Sequence, residues 1–216
     1  MESAMKDIDI ESWKRRETYN LFRSAGNPHF SITADINVTE LLETGKATGI
    51  PLFNFTLYAI MCAVNSIPEF RTRFVDDRVF ELPVTNPSFT VPIADDGFAF
   101  CELEFHDDWQ TFNAKCITAV ERAKLQDKLI ENADTSIWTY LTCAPWVHFT
   151  GLTHATFGPD DCIPRIAWGK YTKRGNNWYM PLNVQAHHAL LDGFHAAKLF
   201  TEAERILSVI PAQTVA

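Results

Sequence analysis

The residues best able to do chemistry crowd into one stretch near the C-terminal end, Trp178 to Phe200, which contains Gln185-Ala186-His187-His188-Ala189-Leu190-Leu191-Asp192-Gly193-Phe194-His195. Read as a strand, side chains alternate between two faces. Trp178, Met180, Leu182, Val184, Ala186 and His188 then share one face, and Tyr179, Pro181, Asn183, Gln185 and His187 share the other. The two adjacent histidines are therefore not equivalent. His188 closes the apolar face, where desolvation favours the neutral imidazole that a general base requires. Asp192-Gly193 precedes a helical run with Phe194, Ala197, Leu199 and Ile206 apolar. Asp192 is placed to cap that helix or to accept a salt bridge that fixes the histidine loop. A buried, satisfied histidine pair is the competing reading. The compound spacing His-His-x-x-x-Asp-Gly weighs against it, with a chance occurrence on the order of one in a thousand.

Several elements must position this loop. Residues 9–24 read as a short amphipathic helix with Ile10, Trp13, Tyr19 and Phe22 apolar. Phe30 to Val38 alternates as a strand, and Thr39 is expected to cap a short helix ending near Gly45. Leu52 to Ile67 is apolar all round, as a buried helix is, with Pro51 at its start. From Arg71 to Phe105, short strand-like runs are divided at Asp-Asp-Arg, Asn-Pro-Ser and Asp-Asp-Gly. Asp108 to Asn132 reads as a long helix with Phe112, Cys116, Val120, Ala123 and Leu129 on one stripe. Residues 137–150 and 163–186 read as strands, and Asp192 to Leu207 as a helix. The class is α/β, in one domain over 1–216, without a dinucleotide-binding glycine turn.

Other chemistry-bearing residues carry less. His106-Asp107-Asp108 has no metal-ligand spacing and reads as a helix start, so no metal site is expected. Lys14-Arg15-Arg16 is too short for a nucleic-acid patch, His195 reads as a helix-surface or packing residue, and no serine has a GxSxG context. Nineteen Lys and Arg against 27 Asp and Glu give a net charge of −8, which argues against a nucleic-acid partner. Five widely spaced cysteines without a CxxC pair point to a reducing compartment. The charged N-terminus has no apolar signal-peptide core, and Leu52 to Ile67 is too short to span a membrane. A cytoplasmic protein is expected. Sixteen Phe and six Trp exceed what a core needs and leave some for a pocket or interface.

The segment Gln185 to His195 resembles the active-site motif of the trimeric chloramphenicol acetyltransferases. His-His-x-x-x-Asp-Gly alone also fits dihydrolipoyl acyltransferases, plant acyltransferases and condensation domains. Further segments narrow the resemblance, in the family's order: Trp13-Lys14-Arg15-Arg16-Glu17, Pro68-Glu69-Phe70-Arg71, Phe105-His106-Asp107-Asp108-Trp109, Pro145-Trp146-Val147 and Gly169-Lys170-Tyr171. They span nearly the whole chain.

The resemblance implies a two-layer fold, a mixed β-sheet with helices packed on one face, assembled as a homotrimer with active sites at subunit boundaries. It implies acetyl-CoA as co-substrate with no permanently bound cofactor, and chloramphenicol or another small hydroxylated molecule as acceptor. His188 would be the general base, and Asp192 would pair with Arg15 to hold the loop. Phe22, Phe98, His148 and Ala167 would line the acceptor pocket, and Lys170 and Tyr171 would meet the coenzyme. The chain departs from the family at Gly151, where a serine usually stabilises the oxyanion, at His148, usually Asn or Ser, and at Ala167, where a Thr is found. Loss of one oxyanion donor typically costs about 10²–10³ in rate. Altered acceptor preference, weakened catalysis and neutral drift all follow as readings.

Overall fold

A computed structural model describes residues 5–126 and 135–209. A mixed sheet of seven strands dominates it: β2 (His29–Asn37), β5 (Asn86–Pro92), β6 (Phe98–Glu102), β7 (Trp138–Ala144), β8 (Arg165–Gly169), β9 (Thr172–Arg174) and β10 (Asn177–His187). Their order is β2-β10-β8-β7-β5-β6, with β9 pairing the start of β10. Only β5–β7 and β7–β8 are parallel. A small second sheet joins β1 (Lys6–Ile8), β4 (Arg78–Glu81) and β3 (Thr72–Val75). The helices are α1 (Arg16–Arg23), a short α2 (Lys46–Thr48), α3 (Leu52–Ser66), α4 (Trp109–Ala123) and α5 (Gly193–Leu207).

Strand alternation separates two faces. Met180, Leu182, Val184 and Ala186 of β10, Ile166 and Trp168 of β8, Leu141 of β7 and Phe89 of β5 are buried in one core with α3, α4 and α5. The other face carries Asn183, Gln185, Ala167, Thr142, Ser88 and Phe98 and is free of these helices. A smaller core joins Tyr19 of α1, Phe74 and Val79 of the second sheet, and Ala189 and Leu190 of the histidine loop. That loop is thus wedged between two packed units.

Several boundaries differ from those read from the sequence. The 9–24 segment is broken: Asp9 caps a single turn over Ile10–Ser12, Trp13 is extended, and α1 starts only at Arg16. After β2 the chain is helical over 39–48, wider in its turn at Leu41–Gly45 and continuing into α2; the Asn37 side chain caps it by accepting from the Thr39 N–H, and it ends at left-handed Gly49 rather than Gly45. Asn86-Pro87-Ser88 opens β5 instead of forming a turn, because the Asn86 side chain is engaged by the Phe105 N–H. The run 163–186 is three strands, turned at Lys170 and at left-handed Gly175. The helix from Asp108 ends at Ala123, and Leu129 lies outside the described residues. No helix among the described residues is long and apolar enough to cross a membrane.

Candidate active site

β10 delivers the two histidines to opposite surroundings. The His187 ring is 1 % exposed; its Nε2–H donates to the Pro159 carbonyl (2.9 Å) and its Nδ1 accepts from the Ala189 N–H (3.2 Å). Burial pushes its pKa down to about 4. The strongly desolvated, neutral imidazole expected at this strand end is therefore His187, a satisfied core histidine. His188 lies one residue beyond the strand and is half-buried. Its ring stacks on Phe22, with centroids 4.0 Å apart and planes within 3°, and tilts against Phe30 at 4.9 Å. Its Nδ1 is shut off from solvent without a hydrogen-bond partner among the described residues.

Arg15 and Asp192, 177 positions apart, meet at 2.8 Å. The second Arg15 amine donates to the His188 backbone carbonyl at 3.4 Å, so this ion pair grips the loop at the histidine itself. Burial alone would raise the Asp192 carboxyl; the Arg15 hydrogen bond and neighbouring His195 outweigh it and hold the group below the usual carboxylate range. Asp192 also caps α5 by accepting from the Phe194 N–H. Of the two readings of His195, packing holds and surface does not: it is 7 % exposed, with Nδ1 toward Asp192 (2.9 Å) and Nε2 toward Glu69 (3.3 Å).

The remaining expected residues lie elsewhere on the sheet. Phe98 is 47 % exposed on β6, four strands from β10 and so about 19 Å away. Ala167 is fully buried on β8 between Asn183 and Thr142, on the same helix-free face as Phe98. His148 sits at the opposite end of β10 from His188: its Nε2 is 2.9 Å from Asp35, whose partner in register is Pro181. Seven extended residues separate Pro181 from His188, about 23 Å. Arg174 approaches the same Nε2 at 2.8 Å, and Nδ1 lies 3.2 Å from the Lys170 carbonyl. Gly169 makes this corner possible, since an added Cβ would lie 2.7 Å from both Pro181 Cγ and the Val147 carbonyl. Lys170 is exposed, whereas the Tyr171 hydroxyl turns inward to Thr56 (3.0 Å). Burial raises that phenol to about 12. Gly151 is exposed with open space around its Cβ position. One chain thus unites His188, Phe22, Arg15 and Asp192, but leaves Phe98, His148, Ala167, Lys170 and Tyr171 apart from them.

A cavity of about 340 Å³, not expected from the sequence, opens on the helix-free face. Phe100, Thr90, Tyr140, His154, Phe157 and Glu102 line it. Burial raises the Glu102 carboxyl and lowers His154; with Phe89, Leu141 and Ala155 beside Phe100 and Phe157, the lining is largely apolar with a few polar groups, as small-molecule sites are. Its signal was available: Phe100 and Glu102 follow Phe98 at period two, and Tyr140 and Thr142 do the same along β7.

Comparisons with known proteins identify the family of the chain. The family model for chloramphenicol acetyltransferase matches residues 3–204. The chain is 31% identical over 210 residues to a chloramphenicol acetyltransferase of Clostridium perfringens, covering 93% of this chain and 94% of that one. It is 32% identical over 199 residues to chloramphenicol acetyltransferase 2 of Escherichia coli, covering 88% and 91%. A solved chloramphenicol acetyltransferase superposes with TM-score 0.83 at 27% identity, over 94% of this chain and all of that one. A probable dihydrolipoamide acetyltransferase from Listeria monocytogenes shares the fold at TM-score 0.68 and 16% identity. With its sheet, its His188 loop and 202 consecutive positions under one family model, the chain belongs to the chloramphenicol acetyltransferases, a family of acyltransferases.

Proposed function

We propose that this protein, acting as one domain over 1–216, transfers the acetyl group of acetyl-CoA to a hydroxyl of a small acceptor, with His188 as general base. Chloramphenicol, the molecule named in its relatives, is the first acceptor to test. The observation that carries this reading is the joint restraint of His188, stacked on Phe22 and held at its carbonyl by Arg15 paired with Asp192.

In the step, His188 Nε2 takes the acceptor hydroxyl's proton as that oxygen attacks the thioester carbonyl. The tetrahedral oxyanion collapses and expels the coenzyme thiolate, which takes the proton back from His188. No acyl-enzyme forms and no resident cofactor is needed. Asp192 never touches the proton; with its charge committed to Arg15, it fixes the loop. Lys170 serves the coenzyme, supported by Lys46 and Lys173, which flank the Trp178 ring at 5.7 and 5.8 Å. These cations offset the overall charge of −8 for an anionic substrate.

The acceptor occupies the helix-free face, at the cavity bounded by Phe100 and Phe157 and near Phe98 and Ala167. Since His188 stands far from Phe98 in one chain, the site forms between copies, as a homotrimer, with His188 of one chain reaching a neighbour's pocket. Exposed Trp146 (82 %) and Phe157 (90 %) supply apolar surface for that contact. Five cysteines, none paired, fit a cytoplasmic setting.

A second reading is a same-family enzyme for another hydroxyl or amine acceptor, or a weakened homologue that binds without turnover. The departures from the family's residues at Gly151 and Ala167 favour it. One assay separates these: purified protein, acetyl-CoA and chloramphenicol, with thiol release followed over time. Turnover lost in His188→Ala supports the first reading. Saturable chloramphenicol binding without turnover supports the binding protein, and neither binding nor turnover points to another acceptor.

A further inference from the structure

Beyond the Arg15–Asp192 pair, the chain of polar groups does not stop at Asp192. The His195 ring stands between two carboxylates, with Nδ1 2.9 Å from Asp192 Oδ1 and Nε2 3.3 Å from Glu69 Oε1. The Asp192 N–H also points at His195 Nδ1, at 3.2 Å. Asp192 Oδ2 then meets Arg15 at 2.8 Å, and Arg15 reaches the His188 carbonyl. Glu69, His195, Asp192 and Arg15 thus form one line ending at the residue read as the base.

A helix cap alone would need only Asp192 and the first turn of α5. Glu69 is not part of α5. It comes from the Pro68–Arg71 turn that follows α3, a turn anchored by fully buried Phe70 and by Arg71, which donates to the Leu82 and Pro83 carbonyls. The second carboxylate therefore ties the His195 ring to a fixed point in the core. His195 in turn accepts from the Asp192 N–H at Nδ1 and stands against Oδ1, which accepts from the Phe194 N–H, so Asp192 is gripped on the side away from Arg15 as well. A side chain held on both oxygens transmits position; one held on a single oxygen can swing.

We propose that His195 and Glu69 are positioning residues for His188, acting through Asp192 and Arg15. The idea rests on the reading of His188 as the base. It assigns a purpose to Pro68-Glu69-Phe70-Arg71, which no other feature of the site uses.

The test uses the full chain with Glu69→Gln, His195→Phe and the double variant. With acetyl-CoA and chloramphenicol, each single variant should lose about tenfold in kcat while KM for both substrates changes less than about twofold. The double variant should be no worse than His195→Phe, because the two residues act in series. In parallel, nitrogen-15 NMR of the imidazole rings, assigned with His188→Ala, should show the His188 signals displaced in Glu69→Gln. Glu69→Gln keeps the side-chain shape, so it serves if His195→Phe fails to fold. A lower melting temperature with unchanged kcat and unchanged His188 signals would overturn the proposal and leave His195 a cap. If the parent protein shows no turnover, the function fails on its own and the ring signals alone decide: displaced supports the coupling, unmoved overturns it.

Discussion

The two ends of β10 each carry a histidine beside an Arg–Asp pair, and they are built differently. At the His188 end the Arg15 and Asp192 side chains are 15 % and 33 % exposed, and the loop between them rests on buried Ala189 and Leu190. At the other end, Arg174 and Asp35 are 50 % and 32 % exposed around His148, on a hairpin edge. Water screens the second network, so its net worth is small, about 0–1 kcal/mol. The first is locked by packing from two cores. The same residue types thus fix the His188 loop in one place and decorate a surface in the other.

Substitutions should separate the ends by size of effect. His188→Ala is expected to lower turnover by about 10²–10⁴-fold with the protein still folded, measured by thiol release. A variant retaining a tenth of the parent rate would remove His188 from the chemistry. Under the proposed mechanism, Gly151→Ser should raise the rate by up to about 10²-fold, since the Cβ position is open and a hydroxyl there would act as an oxyanion donor. An unchanged rate would mean that another donor already serves.

Asp192→Asn and Arg15→Ala should each cost about tenfold, and together scarcely more, because each empties the same contact. Simple multiplication of the two losses would break the pairing. His148→Asn, at the surface end, should shift the melting temperature by less than about 3 °C and leave turnover with chloramphenicol within about threefold. A large loss there would erase the contrast between the ends.

The neighbouring His187 adds a pH signature. Its folded pKa of about 4 lies below the ordinary 6.5, so the unfolded chain binds the proton more readily between those values. Stability is present in full above pH 6.5 and is lost as the pH falls toward 4, on the order of 3 kcal/mol from this group. Chemical denaturation between pH 7 and pH 5, above most carboxylate titrations, should show this slope in the parent and a shallower one in His187→Gln.

Elements whose own pattern is strong were legible in the sequence. β10 alternates over its whole length, α3 is apolar all round, and Asp192 caps α5 as its spacing indicated. The Arg15–Asp192 contact followed from the family resemblance and is present. What escaped depends on partners remote in sequence. Asn37 takes the cap that Thr39 was expected to supply, because the Thr39 hydroxyl is engaged by the Trp178 N–H. His148 gave no sign of Asp35 or Arg174, which reach it from β2 and β9. Assigning desolvation to His188 rather than His187 had a similar cause. The helix-free face is itself covered at that level by Pro159, so an off-core side is not a wet one.

β10 also sets a rule for how this protein can change over time. Its odd and even positions face different worlds, and His187 and His188 stand at adjacent places in that alternation. Point substitutions along the strand alter one side chain at a time. Loss or gain of a single residue between Asn177 and His187 would move every later side chain of the strand to the wrong face, His187 and the approach to His188 included. Lineages descending from this chain should therefore vary in letters within β10 while keeping its length fixed, and accept insertions only in the turns at either end.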